Sequence, residues 1–354
     1  MLSLLLITLS AANAQAVAVS PEVSAHAQAP RWSPDGSRLS WELNDHGQRA
    51  VSLHLYAPGV GVTQVNPAAK PSAGLTTGFG TIPKSAVVHE LSWSPKALNT
   101  YVYSAAGDDR EYDLFLQGGT RLAASPGVDG GPAWSPDGQY IVFSSARTGQ
   151  GDLYLLRAEA LDRPPTRLTA DATTSELHPA WSPQSNTLAY VGRGAEGDTV
   201  FVITNLSAPN PVAIAPWGHT QTRPRFSPDG SKLAFYSNHE DKSRFDLYVV
   251  ELSTGRSQKV VAGVVINDEG PAWLPGSDGF VFVLDDDARF DPVMRVGLDG
   301  KLPKPVATRT VGNMDHDLVS VGGKIWLAVA AQGELKGDDR DFRRIYVMEL
   351  PPAP

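Results

Sequence analysis

Residues 131–143 read Gly131-Pro-Ala-Trp134-Ser-Pro-Asp-Gly138-Gln-Tyr140-Ile-Val-Phe143. Gly131 to Trp134 is a short strand. Ser135 to Gly138 is a turn in which proline presets φ at the second position, Asp suits the third and Gly the fourth. Tyr140 to Phe143 is a second strand, β-branched and aromatic. Leu153-Tyr-Leu-Leu156 and Thr166-Arg-Leu-Thr169 supply a third and a fourth. The same signature recurs as Trp32-Ser-Pro-Asp-Gly36, Trp93-Ser-Pro95, Trp181-Ser-Pro183, Phe226-Ser-Pro-Asp-Gly230 and Trp273-Leu-Pro-Gly276. The anchors are spaced 61, 41, 47, 45 and 47 residues apart. A strand-rich period in the forties specifies an all-β fold, a β-propeller of four-stranded antiparallel blades.

A seventh, decayed unit fits His316 to Leu350, with Val319 at the anchor position and Gly322-Gly323 at the turn. It has no fourth strand of its own, whereas Ala16 to Val23 is a strand-like segment with no unit. The expected architecture is seven blades closed by the N-terminal strand, which removes exposed sheet edges. Six blades is the alternative if the last unit is irregular packing. The anchor aromatics recur where every blade needs bulk, so they are assigned to the seams between blades.

The 354-residue chain carries a net charge of −8, which lacks the basic footprint of a nucleic-acid binder. It has no cysteine, which excludes disulfides, thiolate metal sites and lipid attachment through Cys. Residues 1–16, MLSLLLITLSAANAQA, hold an apolar run from Leu2 to Leu9 and two A-x-A cleavage candidates. They are expected to be a secretory signal peptide, although no Lys or Arg precedes the run. Residues 17–354 are then one propeller domain. The expectation is an exported monomer, periplasmic or extracellular, that meets a membrane only through its partners.

The repeat is similar to the PD40 (WD40-like) repeats of the TolB-type propeller family over about residues 26–350. The resemblance implies a scaffold that binds a protein or a cell-envelope polymer. It departs from that family in starting its first blade directly after the leader, without the preceding α/β domain, and in counting seven blades rather than six. No partner-binding residue is carried over.

Antiparallel order places the loop before each inner strand and the loop between the second and third strands on one face, opposite the Ser-Pro-Asp-Gly turns. The positions three and four before each anchor therefore converge on the channel mouth. Candidate binding residues there are His89, Glu90, His178, Arg223, Asp268, Glu269, Asp315 and His316. Three His among carboxylates raise a divalent-metal reading, Ca included, but no two of them have a local ligand spacing, so no cofactor is assigned. The charged loops Asp108–Glu111, His239–Lys242, Asp285–Asp287 and Asp338–Asp341 share this face and read as solvated. An insertion at 67–88, rich in Pro, Gly, Ser and Thr, enters the same face and explains the 61-residue spacing. There is no G-x-S-x-G elbow, H-E-x-x-H, P-loop or dinucleotide fingerprint. A non-catalytic binding propeller is the leading expectation; a lyase or lactonase-like hydrolase working at the channel mouth is the alternative.

Overall fold

The three complete Trp/Phe-Ser-Pro-Asp-Gly copies fold as one device in the computed structural model. The glycine amide donates to the carbonyl of the serine three residues back at 2.8 Å in each, at Gly36, Gly138 and Gly230. The serine hydroxyl donates to the aspartate at 2.7, 2.6 and 2.6 Å, and accepts from the amide that opens the next strand. At Asp229 the carboxylate also accepts from the amide and hydroxyl of Ser231. Donation from Ser227 leads in holding its pKa down, at about 2. Its contribution is therefore present above pH 4 and lost as pH falls toward 2. Asp229→Ala is expected to lower stability by about 1 kcal/mol at pH 7. Urea unfolding at pH 7 and at pH 2.5 should show that difference shrinking.

The structure describes residues 16–21, 23–45, 50–57, 60–65, 75–77, 80–82, 88–97, 99–106, 112–184, 186–286, 290–333 and 342–352, the side chains of 50, 75–77, 80–82, 88 and 89 excepted. Residues 1–15 of the expected signal peptide (1–16), most of the insertion at 67–88, the 108–111 and 338–341 loops and Asp287 lie outside them. From the insertion, Leu75–Thr77 and Gly80–Ile82 pair as a hairpin.

Each assigned strand run contributes to a sheet, although Thr166–Thr169 does so only at Thr166–Arg167 and Ala16–Val23 only at Val17–Ala18. The inner strands are His26–Trp32, Val88–Trp93, Asp129–Trp134, Ser175–Trp181, His219–Phe226, Ala272–Trp273 and His316–Val321. Each opens a four-stranded antiparallel unit. The fourth and fifth units merge into one eight-stranded sheet because Gly197–Asp198 pair in parallel with His219–Thr220. Only glycine permits that approach, since a Cβ at Gly197 would stand 2.3 Å from the His219 carbonyl oxygen. The seventh unit, His316–Val321, Lys324–Ala331 and Arg344–Leu350, takes Val17–Ala18 as its fourth strand, with Val17 opposite Val347.

Strand periodicity explains the core. Successive side chains point to opposite faces, so Val142 packs toward Leu188 and Tyr190 of the fourth unit while Ile141 and Phe143 pack toward Val102 and Leu114 of the second. An apolar cluster fills each seam between neighbouring units, including the one between seventh and first, where Trp32, Leu39 and Trp41 meet Val319, Trp326 and Val347. The anchors occupy these seams. Three indoles also latch them, with Trp93, Trp181 and Trp273 donating to the carbonyls of Arg31, Ala133 and Arg225 in the preceding unit at 3.3, 3.0 and 3.1 Å.

Candidate functional site: the channel mouth

Six of the seven units place a left-handed residue three positions before the anchor: Ala29, Glu90, Gly131, His178, Arg223 and Gly270, with φ of 47°, 52°, 59°, 51°, 54° and 82°. In the first five the strand pairing shifts register there, the mark of a β-bulge. A bulge turns the ladder amide out of its sheet, and a non-glycine residue in this region costs about 1–2 kcal/mol. Cross-unit bonds offset part of that cost. The Ala29 amide donates to Asp315 at 3.1 Å, the Glu90 amide to Glu42 at 2.9 Å and the Gly131 amide to Glu90 at 2.6 Å. The seventh inner strand pairs without a shift.

These bulges frame a mouth cavity of about 460 Å³, lined by Gln28, Arg31, Glu42, Glu90, Tyr112, Gly130, Arg223, Asp268 and Glu269. Gln28 donates to Glu42 at 3.2 Å, and Ser104 to Glu90 at 3.1 Å. Arg223 donates to Asp268 at 2.7 Å. Arg31 forms an ion pair with Glu269 and donates to the Leu91 carbonyl. Burial pushes the Glu269 carboxyl up to about 7; Arg31 opposes this, Asp317 adds to it and Arg225 opposes it. Behind lies a second cavity of about 370 Å³, reaching Pro34, Pro136 and Pro183 of the turns.

The expected rim residues divide. Glu90, Arg223, Asp268 and Glu269 come together in the mouth wall. His178 lines the rear cavity, where burial, then Arg223 and Arg193, hold its imidazole at about 3 and therefore neutral. Asp315 is buried behind the rim, its carboxyl raised by burial and by Asp268, and it ties the Ala29 and Asp268 amides. His316 is 0% exposed, with its ring nitrogens 3.2 and 3.0 Å from the Met314 and Val281 carbonyl oxygens. The side chain of His89 lies outside the described residues. His178 and His316 thus do not share a site. Among the described residues no three His, Asp or Glu side chains are grouped to hold a metal ion.

Sequence reasoning missed Glu42, Arg31, Arg225 and Asp317. Glu42 comes from a second strand. Arg31 and Arg225 stand one residue before their anchors, a position filled by Ser92 and Ala133 in other units, and Asp317 stands two before Val319. Arginine at two of those positions is the signal that marks them.

A family profile described as the TolB β-propeller domain matches residues 165–343. The Tol-Pal system protein TolB of Bordetella pertussis is 27% identical over 125 residues, 35% of this chain and 26% of that protein. Dipeptidyl-peptidase 5 of Porphyromonas gingivalis is 28% identical over 171 residues, 45% of this chain and 24% of that one. The chain thus matches only about a quarter of the length of these relatives. In structure it superposes on an oligogalacturonate lyase of Vibrio parahaemolyticus with a TM-score of 0.62 at 13% identity, covering 95% of this chain and 93% of the lyase. That likeness shows the fold. The profile, spanning half the chain and taking in the Phe226-Ser-Pro-Asp-Gly230 copy, decides the family: the chain belongs to the TolB β-propeller (PD40) family.

Proposed function

We propose that this propeller is an exported, non-catalytic scaffold that binds a segment of a protein partner in its channel mouth. The carrying observation is the bulge-framed cavity. Its acceptors and donors sit on inner and second strands and on the segment before the sixth inner strand, cross-bonded between units before any ligand arrives, so little ordering cost attends binding. The mouth offers unlike charges side by side, the Arg223–Asp268 pair facing Glu90, which suits the mixed backbone and side-chain polarity of a polypeptide. The TolB relative is named for a multiprotein system, which supports a protein as the partner. No metal is required by this reading. No helix among the described residues is long and apolar enough to cross a membrane.

Val128 is 50% exposed on the cavity wall and is the place for a photocrosslinking residue. Irradiation in the native envelope should join it to one discrete protein. Arg223→Glu should reduce that adduct at least about tenfold without changing the melting temperature, and EDTA should leave it unchanged. A crosslinker at Leu302, 87% exposed on an outer loop, is the control. Identical products from Val128 and Leu302, or no product from Val128, would overturn the reading.

A further inference from the structure

The mouth cavity and the one behind it are lined in part by the same residues. Their shared wall is Arg31, Glu90, Arg223, Asp268 and Glu269. Two ion pairs at or beside that wall join units that are not neighbours. Arg31 of the first unit reaches past the seventh to Glu269, which precedes the sixth inner strand. Arg225 of the fifth reaches past the sixth to Asp317 of the seventh at 3.3 Å, and also donates to the Glu269 carbonyl at 3.4 Å. The two chords cross at Glu269, with the Arg223–Asp268 pair beside them. Together they link the fifth, sixth, seventh and first units around the axis.

We propose that this cluster is a proton-operated partition, and that protonation of Glu269 frees Arg31 and joins the mouth cavity to the chamber behind it. Glu269 is faced by Arg31 from the first inner strand, by Arg225 from the fifth and by Asp317 from the seventh, with Asp268 and Arg223 alongside and Glu90 in the same wall. The Glu269 side chain is 12% exposed, so its charge is poorly hydrated and rests on Arg31. A neutral carboxyl loses the charge-assisted part of its bond to the guanidinium, which leaves the Leu91 carbonyl as the stronger partner of Arg31. Asp317 is held differently, by the Trp32 amide at 2.9 Å as well as by Arg225, so the second chord remains as a hinge. Burial places the Glu269 titration near neutrality, the range in which a partition of this kind responds. The inference does not depend on what the mouth binds.

The direct measurement is a titration of the intact protein from pH 5.5 to 8.5, following the Arg31 side-chain Nε–H resonance by NMR. We expect one transition centred near pH 7, absent in Glu269→Gln, whose Arg31 signal should sit at the low-pH position throughout. Crystal structures at pH 5.5 and 8.5 give the second readout: one continuous cavity at the lower pH, two at the higher. A flat Arg31 signal in the wild type overturns the proposal without recourse to any variant. So does a transition that persists in Glu269→Gln, or an Arg31–Glu269 pair still closed at pH 5.5.

Discussion

A chain truncated ahead of residue 22 is expected to melt on the order of 10 °C below one truncated ahead of residue 16, and to associate. The segment between those starts completes the seventh unit. Val17 and Ala18 pair with Val347 and Tyr346. The Val19 amide donates to the Ile345 carbonyl at 2.8 Å, the Ile345 amide donates to the Ser20 hydroxyl at 2.9 Å, and the Arg344 guanidinium donates to the Ser20 carbonyl at 2.7 Å. At about 1 kcal/mol per bond, with the apolar cover over Ile345 and Val347, the loss is on the order of 5 kcal/mol. A domain of this size loses roughly 2 °C per kcal/mol. The uncovered Arg344–Leu350 strand then presents a free edge to other chains. Scanning calorimetry with light scattering checks both effects. Equal melting of two monomeric forms would show that the segment contributes nothing.

Trp41→Ala is expected to cost about 3–5 kcal/mol, the range for truncating a fully buried aromatic. Trp41 is 0% exposed, sits in the seam between first and seventh units beside Trp32, Trp326 and Ile345, and stacks on His54 with centroids 5.9 Å apart. Seam side chains are fixed from both units, so the void cannot collapse without separating them. The indole N–H finds no acceptor among the described residues. Trp41→Phe removes that orphan donor while keeping a ring, so its cost should be less than half that of Ala. Guanidinium unfolding of the two variants tests the ordering. An Ala variant within 1 kcal/mol of wild type would contradict the seam assignment.

The scaffold was far more legible than the site. Turn chemistry is local: a serine, an aspartate and a glycine at fixed offsets make the same bonds wherever they occur, so Ser33, Ser135 and Ser227 announced their turns. The aromatic anchors are repeated for bulk, and their recurrence located the seams. The vacancy in the seventh unit was readable because the strand runs were one short there and one in surplus at Val17. The bulges were not readable, because the left-handed position holds Ala29, Glu90, His178 and Arg223 as well as glycine. It is stabilised by partners in the neighbouring unit rather than by its own residue type. The expected rim failed at His316 for a related reason. Without a bulge, the seventh inner strand keeps the plain alternation and turns that side chain inward between carbonyls. Arg31 reaches Glu269 only through ring closure, which no local pattern encodes.

The strand that closes the ring also sets a clock. The Ser20–Ile345 hydrogen bond joins positions 325 residues apart, so it forms only after nearly the whole chain has been made and the intervening units have stacked. Each internal unit is assembled from contacts within a few tens of residues, whereas the last one waits for a loop closure spanning the molecule. Refolding should therefore end in a slow phase reported by the seventh unit alone, for instance by Trp326 fluorescence. A nascent chain stays an open, crossable crescent until its final strand emerges.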